Sequence, residues 1–295
     1  MQTSLPRLAF AGIGLMGLPM CQRLLAAGYP LVVWNRNPEK CAALVALGAT
    51  QVLQRAELCA QADIVLLCLA DTQAVEEVMF AEHGIAAALQ PEHIVVDFSS
   101  IEPDATKAMA QRVLENSGAH WLDIPVSGGV AGAEQGSLVM MAGGDAQALA
   151  TVEPVLAHLS QRVTHMGAVG AGQVAKVCNQ MLVACNAMVI AEVVALAEQA
   201  GVDAALLAPA LAGGFADSKP FQILVPQMAQ REFEPVKWHV RTLLKDLDMA
   251  VKLSQGHTSA TPMSGLAAQL MRVHAAQGHL ASDPSTLIQL YSEDK

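Results

Sequence analysis

The chain alternates short, nearly unbroken apolar runs with stretches in which apolar residues return every three or four positions. The runs are LAFAG at 8–12, LVVW at 31–34, IVLLCLA at 64–70, IVVDF at 94–98, HWLDIPV at 120–126 and LVMMAGG at 138–144. Helical patterns lie between most of them, for example at 16–27 and 38–47. A strand with no polar face is covered on both sides, as in a parallel sheet wrapped by helices. The first half therefore predicts a doubly wound α/β domain. From Gly172 onward the pattern is helical only. Candidate helices are 174–199, stopped by Gly201, then 206–211, 223–230, 243–253 and 263–277. Gly213, Gly214, Pro220, Pro235 and Pro262 punctuate them. The expected division is a doubly wound parallel-sheet domain over 1–165 and an all-helical domain over 166–295.

Composition narrows the partners. The chain is 53% hydrophobic and 15% charged, so it buries a large core. Its net charge of -10 argues against a nucleic-acid partner, which would want a basic face. The six cysteines are scattered without a CxxC pair, and the nine histidines show no ligand spacing. Reduced thiols, no metal site and a cytoplasmic location are expected. The N-terminus does not look like a signal peptide. The apolar run MLVACNAMVIAEVVALA from Met181 is broken by Asn186 and Glu192. It reads as a helix buried inside a domain or between subunits, with no membrane span.

The first apolar run leads into GIGLMG, where Gly12, Gly14 and Gly17 have GxGxxG spacing and Ile13, Leu15 and Met16 fill the loop. Between a strand and a helix, this is the Rossmann fingerprint. It allows a tight turn, close backbone approach to a pyrophosphate, and phosphate on a helix N-terminus. The second strand ends VVWNRN, with Asn35, Arg36 and Asn37 where an acidic residue would hold a ribose 2′-hydroxyl. An arginine there can pair with a 2′-phosphate, which favours NADP while leaving NAD possible.

GAGQVAKVCNQML at 170–182 places Lys176 in an otherwise apolar helix. A buried cation is costly unless it is paired, shifted or used. Gln173, Lys176 and Gln180 are spaced i, i+3, i+7 and share a polar stripe, with Asn179 beside it. That stripe would face a cleft between the domains and not the core. In PVSGG, Ser127, Gly128 and Gly129 offer small side chains and backbone N–H groups suited to a carboxylate. Asp71, Asp97 and Asp123, at or just past strand ends, read as loop and cap residues.

FAGIGLMGLPM, VVWNRN, DFSSIEP, DIPVSGGVAGAEQGSLVMMAGG, GAGQVAKVCNQ and KDLDMA, in this order along nearly the whole chain, resemble the β-hydroxyacid dehydrogenases. The family includes 3-hydroxyisobutyrate dehydrogenase, tartronate semialdehyde (2-hydroxy-3-oxopropionate) reductase and the glyoxylate/succinic semialdehyde reductases. The resemblance implies that Lys176 is the catalytic lysine and that Ser127, Gly128 and Gly129 hold the substrate carboxylate. It implies cofactor contacts at Leu69, Ala70, Ser100 and Lys245, the last in the pair Lys245-Asp246. Asn179 and Gln180 are expected on the substrate, although the family usually has Asn where this chain has Gln180. The segment 233–246 is slightly longer than the usual spacing.

The expectation is an NADP-preferring reductase of a small carboxylated aldehyde, 2-hydroxy-3-oxopropionate first, giving glycerate, in a homodimer or homotetramer. The enzymatic alternatives are 3-hydroxyisobutyrate dehydrogenase and succinic semialdehyde or glyoxylate reductase. Imine reduction uses a related fold in which the lysine is replaced, so Lys176 argues against it. The rival of another class is a non-catalytic nucleotide-binding module, which would be expected to lose the lysine.

Overall fold

The computed structural model describes residues 5–291. The chain divides into two compact units, Met1–Lys176 and Val177–Lys295. The division falls inside the 29-residue helix Ala171–Gln199.

The first unit is built on one sheet. Its strands are β1 (Leu8–Ala11), β2 (Leu31–Trp34), β3 (Thr50–Gln51), β4 (Ile64–Leu67), β5 (Ile94–Asp97), β6 (His120–Asp123), β7 (Val126–Ser127), β8 (Leu138–Gly143) and β9 (Ser160–Gly167). The order is β3-β2-β1-β4-β5-β6-β8-β7, with β9 also on β8. The run from β3 to β6 is parallel and doubly wound. Its two faces bury different side chains, as a period of two requires. Leu8, Phe10, Leu31, Val33, Leu66 and Val96 pack with Met20 and Leu24 of helix Gly17–Ala26 on one face. Ala9, Ala11, Val32, Val65, Leu67 and Val95 pack with Val75, Met79, Met109 and Val113 on the other.

The six apolar runs all form strands, with one division. HWLDIPV yields two short strands, β6 and β7, separated by Ile124 and Pro125. Proline has no N–H to give to a ladder. Beyond it the chain pairs antiparallel with β8, Val126 opposite Met140 and Ser127 opposite Val139. Two strands carry no apolar signal. β3 is two residues long, and β9 (SQRVTHMG) leaves most of its side chains exposed. Backbone pairing, not burial, makes them strands. The sheet thus runs to Gly167, past the 165/166 boundary expected from the hydrophobic pattern.

The second unit is helical among its described residues. Ala184, Ala187, Met188, Ala191 and Val194 of the long helix pack with Phe221, Leu224 and Met228 of helix Lys219–Gln230. Val240, Leu243 and Leu247 of helix Val240–Gly256 and Met271 of helix Pro262–His274 complete the core. Helix Pro262–His274 runs on into the π-helical turn Ala275–His279, in which Gly278 at φ 101° breaks the helical backbone just past the expected 263–277 span.

Candidate active site

The glycine loop follows β1. Gly12 has φ +105°, and a Cβ on it would lie 2.3 Å from the Cys68 carbonyl oxygen. A Cβ on Gly17 would lie 2.0 Å from the Gly12 carbonyl oxygen, so helix Gly17–Ala26 can start only if this residue is glycine. Around Gly14 nothing lies within 4 Å of such an atom. Two glycines are thus needed by the protein's own packing, and the third leaves open space. The helix has no side-chain N-cap and no acidic residue in its first turn. Its N–H groups and positive dipole end are left for an anion. This cradle fits the pyrophosphate of a dinucleotide.

The end of β2 is tied to that loop. The Ile13 N–H donates to Asn35 Oδ1 at 2.9 Å, and Asn35 Nδ2 donates to the Asn37 carbonyl at 2.8 Å. Asn37 caps the next turn by accepting from the Glu39 N–H. Asn35 and Asn37 therefore shape the loop, while Arg36 between them is exposed.

Past β4 and β5 the backbone is braced by buried polar groups. The Leu69 N–H donates to Ser99 Oγ at 2.9 Å, and the Ser99 N–H donates to Asp97 Oδ1 at 2.9 Å. These bonds join the strand end carrying Leu69 and Ala70 to the one carrying Ser100. Asp97 and Asp123 are register partners on β5 and β6, and both are fully buried. Asp123 Oδ1 accepts from the Gly170 N–H at 2.7 Å, and Oδ2 accepts from the Gln173 N–H at 2.9 Å. It caps the long helix. Burial pushes Asp97 up to about 7, against the hydrogen bonds of Ser99. Burial pushes Asp123 up to about 6, opposed by the N–H groups it accepts from. Asp71 caps helix Thr72–Phe80 by accepting from the Ala74 N–H.

The start of the long helix is pressed onto the sheet. A Cβ on Gly172 would meet the Asp123 and Met141 carbonyl oxygens at 2.4 Å. One residue on, Gln173 is fully buried; its Nε2 donates to the Ser99 carbonyl at 2.8 Å and its Oε1 accepts from the Ile101 N–H at 3.2 Å. Lys176, three residues later, is only 9% exposed. Ser127 ends β7 and is half-buried. Gly128 (φ +140°) and Gly129 (φ +64°) follow, and nothing lies within 4 Å of a Cβ built on Gly129. The first unit thus holds the glycine loop, the Leu69 and Ser100 loops, the Ser127 segment and Lys176.

The second unit holds the remaining expected residues. Asn179 Nδ2 donates to Gln180 Oε1 at 2.8 Å, and Gln180 Nε2 donates to Asp246 Oδ2 at 2.5 Å. Asp246 is buried and lies 3.5 Å from the Lys245 ammonium. The Gln180 amide is engaged at both ends. The bracing roles of Ser99, Gln173 and Asp97 were not assigned from the sequence. The signal was an aspartate as last residue of two successive strands, in DFSS and DIPVSGG.

A nicotinamide-dinucleotide oxidoreductase is the class that this sheet order and glycine loop define. Comparison with known proteins narrows it. The family model for the NAD binding domain of 6-phosphogluconate dehydrogenase matches residues 7–167. The model for the NAD-binding domain of NADP-dependent 3-hydroxyisobutyrate dehydrogenase matches residues 170–291. The 2-hydroxy-3-oxopropionate reductase of Escherichia coli (strain K12) is 36% identical over 283 residues, 96% of either chain. The NAD-dependent L-serine dehydrogenase of Pseudomonas aeruginosa is 34% identical over 97% of either chain. The solved structure of Mycobacterium tuberculosis 3-hydroxyisobutyrate dehydrogenase with L-serine superposes with a TM-score of 0.89 at 29% identity, covering 98% of this chain and 100% of that one. The chain belongs to the β-hydroxyacid dehydrogenase family and is an NAD(P)-dependent hydroxyacid dehydrogenase.

Proposed function

We propose that this enzyme reduces a small carboxylated aldehyde, 2-hydroxy-3-oxopropionate first, to its hydroxy acid with NADPH. The observation that carries the reading is Lys176: a nearly buried lysine on a helix whose start is clamped by Asp123 and Gln173. A buried cation is costly unless it is paired, shifted or used, and buried titratable groups gather at reactive sites. The 36% identity to 2-hydroxy-3-oxopropionate reductase supports the substrate. Exposed Arg36, with no acidic residue ending β2, supports NADP over NAD.

Gly12 through Gly17 seat the pyrophosphate, Arg36 pairs with the 2′-phosphate, and Leu69, Ala70, Ser100 and Lys245 line the cofactor. The bound nicotinamide supplies the hydride in reduction and accepts it in oxidation. Ser127 Oγ and the N–H groups of Gly128 and Gly129 hold the substrate carboxylate, and Asn179 and Gln180 contact its hydroxyl. The Lys176 ammonium polarises the aldehyde oxygen and donates a proton to the forming alkoxide. In the reverse direction its neutral amine removes the hydroxyl proton.

A homo-oligomer is part of the proposal. Leu182, Val189 and Leu196 are exposed at seven-residue spacing along one face of the long helix. Met263, Leu266 and Val273 are exposed on helix Pro262–His274, whose Ser264 Oγ lies 3.9 Å from Cys185 Sγ of the long helix. A second copy of this chain covers this face in a homodimer or homotetramer. Light scattering on the Leu182→Glu, Leu196→Glu double variant should give a monomer; a monomeric wild type would refute the interface. Six free thiols accord with a reducing cytoplasm.

The reaction is tested by initial rates with NADPH and NADH on tartronate, succinic and methylmalonate semialdehydes and glyoxylate. L-Serine is included in the oxidative direction, because a 34% identical relative is named for it. Fast NADPH-dependent reduction of tartronate semialdehyde is expected. Lys176→Ala should cost about 10³-fold in kcat while NADPH still binds. A faster rate on another acid would keep the mechanism and replace the substrate. NADPH binding without turnover of any acid would favour a non-catalytic role.

A further inference from the structure

The Gln173 side chain ties the lysine-bearing helix to the loop that follows β5. It reaches across 74 positions to the Ser99 carbonyl and 72 to the Ile101 N–H. Its own N–H donates to Asp123. Ser99 in turn accepts from the Leu69 N–H and is held by Asp97. Through its side chain, its backbone N–H and the Ser99 hydroxyl, Gln173 thus links four segments: the strand end at Leu69, the loop carrying Ser100, the end of β6 and the turn that precedes Lys176. A glutamine amide offers a donor and an acceptor together and stays neutral at every pH. The side chain is fully buried, so it touches neither solvent nor a ligand.

We infer that Gln173 is a positioning residue, which holds the Lys176 turn in register with the loops at Leu69 and Ser100. The inference rests on the reading of Lys176 as the acid. The amide lies three residues before the lysine, so shifting the amide slides or rotates the turn that carries the ammonium. The Ser99 carbonyl and Ile101 N–H it satisfies flank Ser100. Loss of the amide frees both sides of this joint together. A proton donor displaced by about 1 Å costs on the order of 10²-fold in rate.

The test uses the full chain with Gln173→Met and Gln173→Glu. Gln173→Met keeps the length and removes both hydrogen bonds. It should lower kcat about 100-fold. The NADPH dissociation constant and aldehyde KM should stay within about threefold, and the deuterium isotope effect with [4-²H]NADPH should rise as chemistry becomes limiting. Gln173→Glu supplies the rescue. Its neutral carboxyl can donate to the Ser99 carbonyl and accept from the Ile101 N–H, whereas its carboxylate repels that carbonyl. Its rate relative to wild type should be highest at acid pH and fall as pH rises. Asp97, Asp123 and Lys176 are present in both proteins, so the ratio reports the added carboxyl together with its coupling to them. If Gln173→Met does not fold, the Gln173→Glu profile decides.

The inference fails if Gln173→Met loses rate only in proportion to the folded fraction, with the isotope effect unchanged, or if the Gln173→Glu ratio is flat with pH. Acylation of Lys176 by an amine reagent, read by peptide mass spectrometry, requires no substrate. Gln173→Met should change the rate at Lys176 and at no surface lysine; an unchanged rate overturns the inference. That readout stands even if wild type turns over no aldehyde, an outcome that defeats the proposed reaction instead.

Discussion

The two loop regions of the first unit are built by opposite means. At the glycine loop the sequence leaves atoms out. Gly12 and Gly17 are crowded by backbone oxygens at 2.3 and 2.0 Å from where a Cβ would be, and Gly14 faces open space. At the strand ends that precede Lys176 the sequence puts atoms in. Asp97, Ser99, Asp123 and Gln173 are buried polar side chains whose bonds brace backbone segments. The first region approaches a phosphate with bare backbone; the second holds reactive groups to a geometry. Added atoms should therefore break one region, and subtracted atoms the other.

The sharpest way to break this comparison is within the glycine loop. Gly12→Ala must adopt φ near +105° and push against the Cys68 carbonyl. It should lose about 2 kcal/mol or more of stability in urea unfolding, together with dinucleotide binding. Gly14→Ala meets no atom and should melt like wild type, while NADPH binding weakens at least about tenfold in fluorescence titration. Equal melting of both variants would remove the distinction between structural and ligand-facing glycines.

A smaller effect, in the polar region, is read by pH. The Asp97 carboxyl is raised to about 7 in the native protein by burial, and its unfolded value is ordinary. A raised acid binds its proton more tightly when folded, so its contribution favours folding at low pH. That contribution is lost as pH climbs from about 4 to about 7. Asp97→Asn has no charge to bury. Relative to wild type it should gain on the order of 2 kcal/mol between pH 5 and pH 7.5 in paired urea titrations. A constant difference across that range would show that Asp97 does not titrate there.

Arg36 is the exception that sharpens the contrast, because it adds an exposed side chain at the phosphate end. Removing it should be mild for the fold and selective for the ligand. Arg36→Ala is expected to raise the KM for NADPH about tenfold, as one charge-assisted hydrogen bond would. The KM for NADH should hardly change, and parallel losses with both cofactors would place the residue away from the 2′-phosphate.

How much of this was legible follows from where each interaction lies in sequence. The glycine loop is local: six residues between a strand and a helix carry their own signature. The doubly wound sheet was legible because β1, β2, β4 and β5 are apolar on both faces. β9 was not, since its side chains are mostly exposed and its strand character comes from pairing with β8. The break of HWLDIPV is marked in the sequence only by Pro125, because the residues on either side keep the apolar pattern of a single strand. Lys176 stood out as a cation in an apolar helix, whereas Gln173 appeared only as a member of the same polar stripe. Its function depends on Ser99 and Ile101, more than seventy residues away.

The sequence by itself determined what short-range periodicity and local backbone sterics can express: the parallel core strands, the glycine cradle, the helical second unit and the lysine as the group to explain. Only the tertiary structure decided that Asp97 and Asp123 stand side by side, that Asp123 caps the helix carrying Lys176, and that Gln173 closes the joint between them. The reason is physical. Strand register brings distant residues into hydrogen-bond range, and buried polar groups must find partners wherever the register puts them.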